Sequence, residues 1–356
     1  NLPTNYYIQI DSTSDYGQLA VTSGVGNINF GVTQDSVIGV PTANYTIYSD
    51  EITLNPAANT PYKIDAIGKD ITVVADGDWT VTGPVHNILV EQADNFNLTI
   101  NAGITAKNEA GTIAGATYSS VLSGVSSSQI ASDTSKTVEL DGTDVTFTLA
   151  ETTSGSGIWD LSTSAISDQS GQVVHIDNTS IQDVTITNNG TMWSTKNNAI
   201  EIDGIEGIAT ITNNTDATIR SDSTNIDHAA IVIKDSSSKA IVSNAGTLTG
   251  PNGILVDNST VTLTNSGAIN ASSGEALLLK NNAFVILTNT GTMSGIKGIN
   301  IYGTTPSTSN TGTVTSSGND NAALYNAGTL TLLNNGGTLQ GTGATNSYGL
   351  YSEGFV

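Results

Sequence analysis

From about residue 184 apolar and polar positions recur in one unit. Two apolar residues spaced by two are followed by Ser or Thr, then by Asn-x-Gly-[Thr/Ala]-apolar. The unit reads VTITNNGTM (184–192), VTLTNSGAI (261–269) and VILTNTGTM (285–293), with looser copies AIVSNAGTL (240–248), PSTSNTGTV (306–314) and LTLLNNGGTL (330–339). The copy ATITNN (209–214) lacks its Gly and carries an insertion before Ala217-Thr218-Ile219. The repeat corners are assigned to Asn188, Asn213, Asn244, Asn265, Asn289, Asn310 and Asn334, which span 146 residues in six steps, about 24 per step. A second apolar segment lies between them: AIEID (199–203), AIVIKD (230–235), GILVDN (253–258), ALLLKN (276–281) and GINIYG (298–303).

Period-2 alternation broken by Asn, Gly, Asp and Ser predicts about three short strands per unit. No window sustains the 3.6-residue period of a helix. A unit of this size cannot bury its own apolar face and must stack on its neighbours, which predicts an all-β parallel β-helix. Val184/Ile186, Ala209/Ile211, Val261/Leu263, Val285/Leu287 and Leu330/Leu332 are expected to point inward. At the corner, Gly is expected for its tolerance of positive φ and Asn for bonding its own backbone. Stacked asparagines predict an amide ladder along the edge.

The first half is less regular. Residues 1–60 read as a cap or small β module and 61–115 as the first irregular coils. Residues 116–170 read as an inserted loop and hairpin subdomain around Asp141-Gly142, and 171–356 as the regular repeats.

Composition narrows the function. The chain has 356 residues, 10 Lys+Arg against 32 Asp+Glu, and no cysteine. A net charge of −22 opposes binding to phosphate backbones. The lack of cysteine removes disulfides, thiol nucleophiles and cysteine-ligated metals. No apolar stretch approaches the roughly 20 residues of a membrane helix. The start at Asn1-Leu2-Pro3 shows no signal peptide and reads as a processed or excised chain. Charged residues are only 12%, yet mean hydropathy is near zero, so Thr, Ser, Asn and Gly keep the surface wet.

Aligning the second segment puts Asp203, Lys234, Asp257, Lys280 and Tyr302 at one position on successive coils. About 4.8 Å apart, they form an expected ladder of alternating sign that fixes register. The chemical alternative is a carbohydrate-active carboxylate pair, but a glycosidase needs two uncompensated carboxylates flanking the scissile bond. His86, His175 and His228 lie far apart and lack zinc-ligand spacing, so they read as surface or corner residues. The Ser-Gly-Ser-Gly run at 154–157 lacks a nucleophile-elbow frame and reads as a turn. Asp76, Asp78, Asp141 and Asp144 offer oxygen ligands to calcium, although Asp-Gly is equally a hairpin turn. Apart from that calcium, no cofactor is expected. Thr185/Thr187, Thr210/Thr212 and Thr262/Thr264 would stand outward as on ice-binding solenoids, but Ile241/Ser243, Ile286 and Leu333 break the array.

The motifs TNNGTM, SNAGTL, TNSGAI and TNTGTM, interleaved with GILVDN and GINIYG, resemble the passenger domains of bacterial autotransporters, the self-associating adhesins above all. The resemblance covers 184–356 well and 71–115 loosely. It implies a right-handed, three-sided β-helix at the bacterial cell surface, without a Gly-Asp-Ser-Gly protease motif. The expected function is non-enzymatic adhesion or self-association, with a second copy or host and cell-surface glycans as partners and no membrane insertion of this region. The alternatives are an S-layer, sheath or filament subunit joining through open coil ends, a polysaccharide lyase or tailspike, and an ice-binding solenoid.

Overall fold

The computed structural model describes residues 5–10, 19–20, 29–32, 43–45, 51–54, 61–65, 68, 70–113, 117–123, 135–140, 143–152, 158–163, 166–177, 181, 183–235 and 239–355. Among these there is no helix. The chain divides into two compact units, one of residues 1–41 with 111–169, the other of 42–110 with 170–356.

The larger unit is a parallel β-solenoid of about 9 turns. One turn supplies the strands Asp183–Asn188, Thr191–Ser194 and Ile200–Asp203. The next turn lays Ile208–Asn213, Thr218–Ser221 and Ala229–Lys234 beside them in parallel register. Repetition builds a first, second and third sheet, named here in chain order within a turn. The alternation of the repeat becomes burial directly: Val184, Ile186, Ala209, Ile211, Val261, Leu263, Val285 and Leu287 are 0–1% exposed.

The asparagines continue this interior at 2% exposure or less from Asn188 to Asn310. Each Nδ2 donates to the Oδ1 of the asparagine one turn on: Asn188 to Asn213 and Asn213 to Asn244 at 2.8 Å, then Asn244 to Asn265, Asn265 to Asn289 and Asn289 to Asn310 at 2.7 Å. The ladder therefore runs inside the solenoid. Its last rung is Asn335, to which Asn310 donates at 2.7 Å, and not Asn334. The corner motif itself reads Asn335-Gly336-Gly337-Thr338-Leu339, so Asn310 pairs with Asn335 while Asn334 stands beside Ser309. One turn earlier, strand Thr304–Asn310 shifts register beside Pro306, which has no N–H to give to the sheet. Leu330 is buried, but Leu332, expected inside, is 56% exposed.

The corner glycine has a different reason from the one expected. From Asn188 onward, the Asn-x-Gly corner glycines Gly190, Gly246, Gly267, Gly291, Gly312 and Gly337 have no positive φ. A Cβ on Gly267, Gly291, Gly312 or Gly337 would instead lie 2.0–2.1 Å from the carbonyl oxygen of the glycine one turn before. Only a residue without a side chain permits that backbone approach. Positive φ is needed at the other corner, after the third strand, where Gly204 (φ 67), Asp235 (φ 47), Asn258 (φ 46) and Asn281 (φ 50) occupy successive turns. Asn and Asp are the L-residues that tolerate this region best.

The boundaries differ from those expected. Strands Ala43–Tyr45 and Glu51–Leu54 pair in the third and first sheets of the solenoid, so the cap assigned to 1–60 reaches only residue 41. The insertion falls between the second strand, Thr105–Glu109, and the third strand, Val174–Asp177, of one turn. The smaller unit joins that insertion to the first residues of the chain. Ser135–Leu140 and Thr143–Glu151 form the expected antiparallel hairpin. Ile158–Thr163 and Thr117–Ser123 extend the sheet, and Leu19–Ala20 adds a parallel edge.

Candidate functional site

The third sheet places chemistry-bearing side chains closest together. Backbone register sets Asp177, Asp203, Lys234, Asp257 and Lys280 side by side on successive turns. Tyr302 follows, its N–H donating to the Leu279 carbonyl at 3.0 Å. The ion pairs depart from the predicted alternation. Lys234 Nζ lies 3.1 Å from Asp203 Oδ2, a ladder pair, and 2.9 Å from Glu201 Oε1. Lys280 turns away from the column to Asp227 at 3.1 Å, while Asp257 accepts from Asn281 Nδ2. Among the described residues the ladder is an ion-paired column at the Asp203–Lys234 step alone.

Glu201 explains the difference. It is 7% exposed, and an ammonium gains more from a carboxylate in a low-dielectric setting than from an exposed one. Glu201 Oε2 also accepts from Gln172 Nε2 and Asn198 Nδ2, each at 2.6 Å. Burial pushes the Glu201 carboxyl up, but His175, Lys234 and Gln172 more than offset it and hold the group at about 2. Burial lowers Lys234, and Glu201 with Asp203 outweigh it, so the ammonium stays charged above its ordinary range. Asp203 is pushed up by burial, with Asp177 and Asp235 adding and Lys234 opposing. A carboxylate at about 2 has no proton to give near neutral pH, and a lysine so held cannot act as a base. The arrangement clamps two turns together.

Two histidines belong to the same cluster, which their distance in sequence concealed. His86 is 4% exposed, and its ring lies 4.8 Å from that of His175, nearly perpendicular at 78°. His175 stands directly beside Glu201 in the register. His228 lies at the corner before strand Ala229–Lys234, half-buried, with Nδ1 2.7 Å from Ser223 Oγ; burial lowers it, opposed by Glu201, the Lys196 backbone and Asp227. The surface-or-corner reading is corrected for His175, which lies within a strand; His86 does sit at a corner, but a buried one. The signal available in sequence was their place before and within third-sheet segments of adjoining turns.

Two of the four calcium candidates bond neighbouring groups. Asp76 accepts from Asn101 Nδ2 at 2.5 Å and Asp78 from the Thr105 N–H at 2.9 Å. Asp144 lies in strand Thr143–Glu151, and Asp141 falls outside the described residues, as does the 154–157 run. Among the described residues no three or more His, Cys, Asp or Glu side chains gather as a metal site.

Aromatic side chains gather at two places among the described residues. Trp193 has Lys107 Nζ 4.1 Å and Arg220 Cζ 4.7 Å from its ring centre, from the turns on either side. Tyr325 stacks on Tyr351 at 5.6 Å and receives Lys297 Nζ at 4.3 Å. Its hydroxyl, bonded to Glu353, is raised to about 12. Tyr302, 51% exposed, lies 6.4 Å from Tyr325.

The outer face of the first sheet is different in kind. Two adjacent columns run Thr185–Thr210–Ile241–Thr262–Ile286–Ser307 and Thr187–Thr212–Ser243–Thr264–Thr288–Ser309. Neither contains a carboxylate. No family model, curated protein or solved structure matches the chain.

Proposed function

We propose that this chain is a non-enzymatic module of the bacterial cell surface that adheres or self-associates through the outer face of the first sheet. One observation carries the reading. In a chain with 32 Asp+Glu, six successive turns present two columns of hydroxyls and isoleucines without one acid. A hydroxyl both donates and accepts, so such columns can meet a second copy or a glycan without leaving a charge unpaired. Ile241, 37% exposed, adds apolar contact.

Size sets the strength. Six strands about 4.8 Å apart and some five residues at about 3.3 Å give on the order of 400 Å² per partner. That is roughly half the ~800 Å² per side of a standard interface. One such contact is weak. Net charge of −22 opposes it further, and salt relieves that repulsion. Supporting the non-catalytic side, the Glu201 and Asp203 carboxylates are both engaged by the Lys234 ammonium.

Sedimentation and light scattering at rising protein and salt concentration test the self-associating form. Association should grow with both. A Thr212→Glu, Thr264→Glu double variant, altered only on the outer face, should abolish it with an unchanged melting temperature. The adhesive form predicts that binding to glycan-coated surfaces is lost in the same variant. A chain that stays monomeric and binds no such surface overturns the proposal.

A further inference from the structure

The His86–His175 pair occupies the seam between two early turns of the solenoid, and its hydrogen bonds define its protonation. The Gln172 backbone N–H donates to His86 Nδ1 at 3.2 Å. An amide N–H cannot accept, so the single proton of a neutral His86 sits on Nε2. That nitrogen lies 3.3 Å from His175 Nδ1. His86 Nε2–H is therefore the donor, His175 Nδ1 the acceptor, and the His175 proton sits on its own Nε2. Neither ring can take a second proton without breaking a hydrogen bond. A proton on His86 Nδ1 would face the Gln172 N–H, and one on His175 Nδ1 would face His86 Nε2–H.

The seam around them is closely tied. The Asn87 N–H donates to the Gln172 carbonyl at 3.2 Å and the Ile88 N–H to the Val173 carbonyl at 3.0 Å. Asn108 Nδ2 bonds the Val85 carbonyl at 2.6 Å and Asn87 Oδ1 at 2.9 Å. The charge around His175 comes from both sides. Strand Ile88–Gln92 places Leu89 opposite it and carries Glu91; Lys63 occupies the register position beyond Leu89. Strand Ile200–Asp203 places Glu201 opposite it, with Asp203 further along and Lys234 bound to both. Asp177 lies on its own strand. Glu201 is the nearest incentive to protonate, and it pulls a proton onto the ring that the His86 bond holds neutral.

We propose that His86 and His175 form an acid-sensitive latch. Near neutral pH the neutral pair bonds the turn of strand Ile88–Gln92 to that of Val174–Asp177. As pH falls below the ordinary histidine range of about 6.5, His175 takes a proton toward Glu201, releases His86 and loosens the seam. The sign follows from the bond itself: the contact is complete while His175 Nδ1 carries no proton and is lost once it does, so it is present above that range and absent below it.

Native-state hydrogen exchange of the whole chain, corrected for intrinsic rates, tests this. Amides of residues 87–90 and 172–176 should lose at least ~10-fold protection between pH 7.5 and 5.5, a tenfold change being about 1.4 kcal/mol. Amides of the turns after residue 239 should not change. His175→Gln keeps an acceptor for His86 Nε2–H but does not titrate, so its seam protection should be flat with pH. His228→Gln should behave as the parent chain. Flat protection in the parent overturns the latch, as does an unchanged pH dependence in His175→Gln or its loss in His228→Gln.

Discussion

After the first strand of one early turn the chain rounds its corner as Asn101-Ala102-Gly103; after Asn289 it does so as Thr290-Gly291. Gly103 has φ 78 and open space where a Cβ would stand. Gly291 has no positive φ, and a Cβ there would lie 2.0 Å from the Gly267 carbonyl oxygen. Inside the corner, Asn289 continues the amide ladder, whereas the matching residues of the two early turns are Ile100 and Ala75, both 0% exposed. The early turns fill their interior with Trp79 and Phe96 instead. The same coil is thus closed by two devices. A polar ladder demands the same residue on every turn. An apolar core asks only for volume and tolerates a different residue each time.

Glycine substitution should separate the two most sharply. Gly291→Ala should cost about 4 kcal/mol or more in urea unfolding, because the stacked backbone must separate. Gly103→Ala should cost about 1 kcal/mol, the price of positive φ alone. Equal losses would remove the distinction between the corners. Next in size, Asn265→Leu leaves Asn289 Oδ1 without its donor from the turn before and should cost about 3 kcal/mol. Ile100→Asn adds a rung above Asn188, so it should cost less than Ile186→Asn by about 2 kcal/mol. A ladder that cannot be extended in this way would make the early interior incompatible rather than alternative.

The clamp at the junction of the two regions predicts an acid effect. Glu201 is lowered from 4.5 to about 2, so its contribution is complete above pH 4.5 and is lost as pH falls from there toward 2. The loss should be roughly 3 kcal/mol and should vanish in Glu201→Gln, read from urea midpoints across pH. The ladder lysines give a further contrast. Lys234→Met strands a buried carboxylate and should cost about 3 kcal/mol. Lys280→Met removes an exposed pair with Asp227 and should stay within about 0.5 kcal/mol.

Much of the solenoid was legible because its interior repeats. Val261/Leu263 and the asparagines from 188 to 310 could be placed from spacing alone. Legibility failed where adjacent asparagines offered two frames: the corner is Asn335-Gly336-Gly337, and the last rung is Asn335 and not Asn334. It failed again wherever partners come from different turns. Lys234 and Lys280 hold equivalent positions, yet only Lys234 has a buried carboxylate within reach. Nothing in a linear reading joins Leu19–Ala20 to Leu122–Ser123 across the early turns.

By itself, the sequence determined the period, the strand alternation and the parallel stacking, since all three follow from residues that recur at fixed spacing. Tertiary structure decided the rest. It showed that Gly291 serves close approach rather than positive φ. It showed that the amide ladder lies within the core, and that His86, His175, Glu201 and Lys234 form one cluster. The physical reason is the same each time. Stacking brings residues some 25 to 90 positions apart to within hydrogen-bond distance, where burial and the nearest charge, not the local pattern, set what each side chain does.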